Sequence, residues 1–80
     1  MPGGGLERAL GALRPAAERF PDQPMVPFNL ACYLAQIGSL EEAWEWYQEA
    51  IRRGPAAQVR AQALDDDDLR PLWPRIHAGG

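Results

Sequence analysis

The sequence predicts an all-α fold, and its composition, its apolar spacing and its turn residues each support this prediction. The 80 residues include thirteen Ala and nine Leu, but no Thr and only five Val or Ile, a balance that favours helices over a sheet. Apolar residues recur at three- and four-residue spacing, as on one face of an amphipathic helix. Gly and Pro divide the chain into segments of helical length. We therefore expect one small helical domain.

Size and charge exclude several classes of function. A chain of 80 residues is too short for a multidomain enzyme and buries only about 60% of its unfolded surface. Its single cysteine, Cys32, cannot form an intramolecular disulfide, and no Cys/His cluster can hold a metal, so we expect no metal and no cofactor. The net charge is −3, and all eight basic residues are Arg. Because nucleic-acid binding needs a dominant basic surface, we expect no nucleic-acid partner.

The chain also lacks the features of a membrane or secreted protein. No stretch approaches the roughly 20 apolar residues of a membrane span. Met1–Gly5 has neither the basic region nor the apolar core of a signal peptide. We therefore expect a cytoplasmic protein without a membrane partner.

An internal repeat with a period of 34 residues runs through the chain. When the sequence is shifted by this period, small residues fall on small residues and Pro falls on Pro. The matched pairs are Leu6 and Leu40, Glu7 and Glu41, Ala9 and Ala43, Leu13 and Tyr47, Ala16 and Ala50, Arg19 and Arg53, Pro21 and Pro55, and Leu30 and Leu64. A fixed period of this length is typical of repeat proteins, in which each period forms one supersecondary unit.

The central repeat predicts two helices, the first of them over Phe28–Ile37. Pro27 suits its first helical position, because the missing N–H of proline has no helical partner there. Gly38 ends the helix, since glycine readily adopts the left-handed conformation of a helix C-terminus.

The second helix is expected over Leu40–Arg53. Ser39 and Glu42 have the spacing of a capping box, in which a hydroxyl and a carboxylate each accept a free backbone N–H. Gly54 and Pro55 terminate the helix.

These residues resemble the tetratricopeptide repeat (TPR) family. The resemblance rests on Pro27-x-x-Leu30-Ala31-x-x-Leu34, followed by Ala43-x-x-x-Tyr47, Ala50 and Pro55. It covers one full repeat over 24–57, the second helix of a preceding repeat over 6–20, and a degenerate start of a third repeat. It implies a TPR-like helix-turn-helix array, an α–α superhelix, in which small residues lie where two helices cross closely.

The helix over 6–20 contains a proline in its interior. Pro15 removes a backbone hydrogen bond and clashes with the carbonyl four residues earlier. We expect either a kink near Gly11–Pro15 or a frayed first turn.

The C-terminal part predicts a cap over the end of the array. A third helix over Ala56–Leu64 ends at four adjacent aspartates, Asp65–Asp68, which cannot be buried together. A short last helix is expected over Leu69–Ile76, with Asp67 or Asp68 as its N-cap residue. This helix would cover the end of the array, as repeat proteins require.

These elements define one helical domain over 6–77. It consists of the partial repeat over 6–20, the full repeat over 24–57, and the degenerate repeat and cap over 58–76. Flexible tails are expected at 1–5 and 78–80.

The residues predict no catalytic or metal site. Cys32 and His77 are the residues suited to nucleophilic catalysis, but Cys32 falls within a helix and His77 falls in the Gly-ending tail. The acidic run lacks the alternating acids, the Gly and the final Glu of a calcium-binding loop. We therefore expect no enzymatic activity.

The TPR resemblance implies a protein–protein interaction module. Ligands of this family lie on a concave surface formed by the first helix of each repeat. The matching positions here are Met25, Phe28, Asn29, Cys32 and Gln36. No basic residue lies between Phe20 and Arg52, which disfavours the family's carboxylate-binding mode and favours an apolar or weakly polar peptide.

Trp46 is a further candidate for partner binding. It lies outside the apolar stripe of its helix, between Glu42 and Ala50. A tryptophan in this position either anchors a partner at the surface or packs on a neighbouring helix.

A homo-oligomerisation module is the alternative function. No helix precedes 6–20 to cover it, so Leu6, Leu10 and Leu13 are expected to form a self-association surface, with Phe20 beside them. Repeat arrays usually need about three repeats to bury a continuous core, and this chain has fewer. This alternative predicts a symmetric homodimer, whereas a sufficient cap would leave a monomer.

Overall fold

The computed structural model describes the backbone of residues 4–79 and the side chains of residues 8 and 10–78. The helices are α1 (Gly4–Arg19), α2 (Met25–Gln36), α3 (Leu40–Arg53), α4 (Ala56–Leu64), a 3₁₀ helix (Asp67–Leu72) and α5 (Trp73–Gly79). No strand is present among residues 4–79, so the all-α prediction is confirmed for this part of the chain. Of the predicted flexible tails, residues 1–3 and 80 lie outside the described residues, while 4–5 and 78–79 are helical.

α1 begins at Gly4, two residues before the predicted start, and continues past Pro15 to Arg19. The proline therefore does not end the helix. The residue four positions before the proline, whose carbonyl a proline ring normally crowds, is Gly11, and a Cβ added there would meet nothing within 4 Å. Beyond the proline, the amide of Phe20 still donates to the Ala16 carbonyl at 2.9 Å.

α2 begins at Met25, so the predicted start at Phe28 is three residues late. Pro27 is its third residue rather than its first. The first helical hydrogen bond runs from the amide of Phe28 to the carbonyl of Pro24 at 3.1 Å. Because the amides of the first turn have no helical acceptor, a proline costs as little at the third position as at the first.

Gly38 ends α2 as predicted, with a positive φ of 88°. Its amide donates to the Ala35 carbonyl at 3.2 Å, and the amide of Ser39 donates to the Leu34 carbonyl at 2.9 Å. These two bonds form a Schellman motif, which satisfies carbonyls that the last turn leaves free.

The predicted capping box at Ser39 is wrong. The Ser39 hydroxyl makes no capping hydrogen bond, and the Ser39 amide, which a capping box would offer to Glu42, already donates to Leu34. Glu42 instead accepts a hydrogen bond from Arg14 of α1 at 2.9 Å. In this short turn, the Ser39 amide can serve either the end of α2 or the start of α3, and it donates its hydrogen bond to α2.

α3 and α4 have the predicted bounds. Arg53, in the last turn of α3, donates to the carbonyls of Phe20 and Gln23 at 3.3 and 3.2 Å. Its guanidinium thereby fastens the turn between α1 and α2 to the end of α3.

The predicted caps of the last helix, Asp67 and Asp68, are wrong. The cap is Asp66, whose side chain accepts a hydrogen bond from the amide of Asp68 at 3.0 Å and starts a 3₁₀ helix. Pro71 lies within this helix. The predicted single helix over Leu69–Ile76 is therefore two short elements, because proline at position 71 offers no amide to continue an α-helix.

α2 lies at the centre of the fold and packs against α1, α3 and the 3₁₀ helix. The largest core side chains with under 2% exposure are Tyr47, Leu30, Leu34, Leu69, Leu72, Ile76 and Pro27. Three of them belong to the C-terminal elements, and the indole Nε1 of Trp73 donates to the Ala63 carbonyl at 2.9 Å. The C-terminal segment is therefore part of the core.

The close packing of α2 and α3 generates a first prediction. Ala43 is fully buried on α3, so Ala43→Leu should lower the free energy of unfolding by about 1–3 kcal/mol through overpacking. Chemical denaturation monitored by circular dichroism measures the change. Ala61→Leu, at an exposed position of α4, is the control. Equal stabilities of the two variants would contradict close packing at Ala43.

Candidate functional site

α2 carries no charged residue, yet part of it faces solvent. Met25, Asn29 and Gln36 are exposed and Tyr33 is half-buried. Their spacing of three, four and seven residues places these four side chains on one face, which we call the α2 stripe. Tyr33 was not predicted as a site residue, although its position four residues after Asn29 places it on the same helix face and could have identified it from the sequence.

Two residues predicted for partner binding lie in the core instead. Phe28 and Cys32 are 3% and 7% exposed, so neither offers a contact surface. Tertiary contacts with the C-terminal segment explain this burial. The 3₁₀ helix packs against α2, and Asp66 approaches Cys32.

The contact between Cys32 and Asp66 joins α2 to the C-terminal segment. The Sγ of Cys32 donates to Oδ2 of Asp66 at 3.6 Å, while Oδ1 of the same carboxylate caps the 3₁₀ helix. Burial raises the pKa of the Cys32 thiol to about 12, and the negative charge and hydrogen bond of Asp66 add to the rise. The thiol therefore remains protonated and is a poor nucleophile.

Trp46 lies on a different helix and lines a separate surface. It is half-buried and forms the wall of a depression of about 340 Å³ together with Glu42, Glu45, Glu49 and Arg52. We call this the Trp46 depression. All of its lining residues belong to α3, so the structure does not bring Trp46 together with the α2 stripe.

Ion pairs surround the Trp46 depression. Arg14 pairs with Glu42 at 2.9 Å, and Glu49 pairs with both Arg53, at 2.8 Å, and Arg52. These two guanidinium groups lower the pKa of the Glu49 carboxyl. Glu45 makes no ion pair within the described residues. Glu42, Glu45 and Glu49 were not predicted as site residues. Glu42 and Glu49 lie four before and three after Trp46 and so share its helix face, and Glu45 lies three after Glu42 and four before Glu49.

The predicted self-association surface on α1 is only partly exposed. Leu10 is 4% exposed and belongs to the core, so its predicted exposure is wrong. Leu13 is half-buried, and the side chain of Leu6 lies outside the described residues. Phe20 is 51% exposed. α1 packs against α2, and this contact covers the face that the sequence left without a partner.

Among the side chains that the structure describes, two buried polar atoms have no hydrogen-bond partner, one on α3 and one on α4. They are the hydroxyl oxygen of Tyr47 and Nε of Arg60. Burial raises the pKa of the Tyr47 hydroxyl, and the positive charge of Arg60 opposes the rise. The hydroxyl thus adds a desolvation cost to a side chain whose ring fills the core.

The described residues contain no group of three or more His, Cys, Asp or Glu side chains arranged to hold a metal ion. Within the same part of the chain, no helix has the length and apolarity needed to cross a membrane. Comparisons with protein-family models, curated proteins and solved structures found no match to this chain.

The Cys32–Asp66 contact predicts a slow thiol reaction. With the pKa raised from 9.0 to about 12, the thiolate fraction at pH 8 falls about a thousandfold, so iodoacetamide should alkylate the folded protein at least a hundredfold more slowly than the urea-unfolded protein. Mass spectrometry measures both rates. Because folding raises this pKa, the associated stability is complete below pH 9 and is lost as pH rises towards 12. Similar rates in both states would contradict the burial of the thiol.

Tyr47 predicts a stabilising substitution. Tyr47→Phe keeps the ring in the core and removes a hydroxyl that has no partner, so the free energy of unfolding should rise by about 1 kcal/mol. Thermal denaturation would show an increase of about 4–8 °C in Tm for a domain of this size. A loss of stability would show that the hydroxyl is paired in solution.

Proposed function

We propose that this protein is a protein–protein interaction module that binds a peptide segment or partner protein along the α2 stripe. The observation that carries the proposal is the absence of charge from α2, a helix that nevertheless exposes Met25, Asn29 and Gln36. Solvent-facing helix surfaces usually carry charged residues. Interface centres are instead depleted in charge and enriched in Tyr and Met, as this stripe is.

We propose further that the helices follow a TPR-like arrangement, with α2 and α3 as the complete repeat. The period of 34 residues makes α1 equivalent to α3, and α2 equivalent to α4. Ala31, Ala43 and Ala50 are fully buried, in line with a close crossing of the two central helices. The C-terminal segment departs from a regular array, because its 3₁₀ helix packs on α2.

A peptide fits the α2 stripe better than a second copy of the chain does. α2 has 12 residues and is therefore about 18 Å long. One face of such a helix is far smaller than the roughly 800 Å² per partner that stable interfaces bury. The burial of Leu10 also removes the centre of the α1 surface on which the homodimer alternative rested.

Selection from a displayed library of random peptides tests this function. The variant Asn29→Arg/Gln36→Arg places two charges on the α2 stripe, and selected peptides should bind it at least about tenfold more weakly, because each charge must be desolvated without a partner. The control Gln58→Arg/Gln62→Arg adds the same two charges at exposed positions of α4 and should bind like the unmodified protein.

Two results would contradict the proposal: no enriched peptide, or equal binding by both double variants. Light scattering tests the alternative in parallel. A dimer that Asn29→Arg/Gln36→Arg converts to a monomer would assign the α2 stripe to self-association.

A further inference from the structure

Two of the tryptophans show how this chain accommodates an arginine. The guanidinium Cζ of Arg75 lies 5.4 Å from the ring centroid of Trp44, and the same guanidinium pairs with Glu41 at 3.0 Å. In the C-terminal segment, Cζ of Arg70 lies 5.5 Å from the centroid of Trp73.

Arg70 also pairs with Asp67, at 2.9 Å. Each of these indoles therefore belongs to a set of three groups: an aromatic face, a guanidinium over it, and a carboxylate that holds the guanidinium. The arrangement combines a cation–π contact with a charge-assisted hydrogen bond.

Trp46 has an indole and neighbouring carboxylates, as such a set requires, and its indole is half-buried and packs against the core. It lines an open depression with Glu42, Glu45 and Glu49. Among residues 8 and 10–78, however, no guanidinium lies over its ring. Glu45 is exposed and makes no ion pair within this part of the chain.

Arg52, the arginine that lines the Trp46 depression, is not needed for the local structure. Arg53 already satisfies Glu49 through a half-buried ion pair, and it is held in place by two backbone carbonyls. The side chain of Arg52 is 67% exposed, and within the described part of the chain it pairs with Glu49 alone. Such exposed pairs contribute little to stability, so Arg52 can be displaced from Glu49 at small cost.

We propose that the Trp46 depression binds an arginine side chain of a partner protein. The guanidinium stacks on the Trp46 indole and donates to Glu45. Glu42 and Glu49 already pair with arginines of this chain, so Glu45 is the carboxylate that receives the incoming guanidinium. Arginine is preferred to lysine because its planar group can stack on the ring and reach a carboxylate with the same fork, whereas the ammonium of lysine is compact and strongly hydrated. This surface is separate from the α2 stripe, and its occupation does not depend on the proposed function.

A peptide titration tests this site. The probe is a capped Gly-Gly-Arg-Gly-Gly peptide, followed by NMR of the tryptophan indole N–H signals at low ionic strength, where charge interactions are least screened. The Trp46 signal is assigned with Trp46→Phe. We expect a saturable shift of this signal, a smaller response to the lysine peptide, and none to the citrulline peptide, which has the same shape without the charge.

Four variants refine the test. Glu45→Gln should weaken binding by about twofold to fivefold, whereas Glu18→Gln, the same change at an exposed position of α1, should leave it unchanged. Arg52→Gln should tighten binding, because it removes a competing cation. Asn29→Arg/Gln36→Arg should bind the probe like the unmodified protein, which separates this site from the α2 stripe.

An absent shift, equal responses to the arginine and citrulline peptides, or equal effects of Glu45→Gln and Glu18→Gln would each overturn the proposal. Equal affinity for the lysine peptide would overturn the preference for arginine. Since Glu45 is exposed and makes no ion pair with any described side chain, Glu45→Gln is expected to retain the fold. Its melting curve, compared with that of the unmodified protein, verifies this.

Discussion

The packing of α2 against three other elements is the constraint on which the rest of the structure depends. α2 contacts α1, α3 and the 3₁₀ helix, and an uncharged helix is the element suited to this central place. Fully buried alanines on α2 and α3, among them Ala31, Ala43 and Ala50, allow close packing of the two helices. Small domains bury a limited core, so much of the stability of this chain must come from contacts made by this one helix.

The C-terminal segment completes the core at the point where the repeat pattern fails. Leu69, Leu72 and Ile76 are almost fully buried, and Asp66 links the start of the segment to Cys32 of α2. This contact has two consequences. It anchors the segment, and it adds to the rise in the pKa of the Cys32 thiol, of which burial is the larger cause.

The division of charge between helices separates the two candidate surfaces. α2 has no charged residue, whereas α3 has acidic residues in its first turn and arginines in its last. The α2 stripe therefore suits an uncharged segment. The flank of α3 around Trp46 holds carboxylates instead, so the two proposed surfaces call for partners of different chemistry.

Local sequence signals determined the helices, and tertiary contacts decided which side chains remain at the surface. Gly38 and the bounds of α3 and α4 follow from short-range preferences for helix ends, which involve only neighbouring residues. Leu10 is buried because α1 packs against α2, and Cys32 is buried because the 3₁₀ helix packs against α2. Both contacts join segments that are distant in the sequence. Periodicity shows that a face is apolar but does not show which element covers it. The candidate site was therefore only partly predictable. Met25, Asn29 and Gln36 are exposed as predicted, whereas Phe28 and Cys32 are buried in a helix against which the C-terminal segment packs.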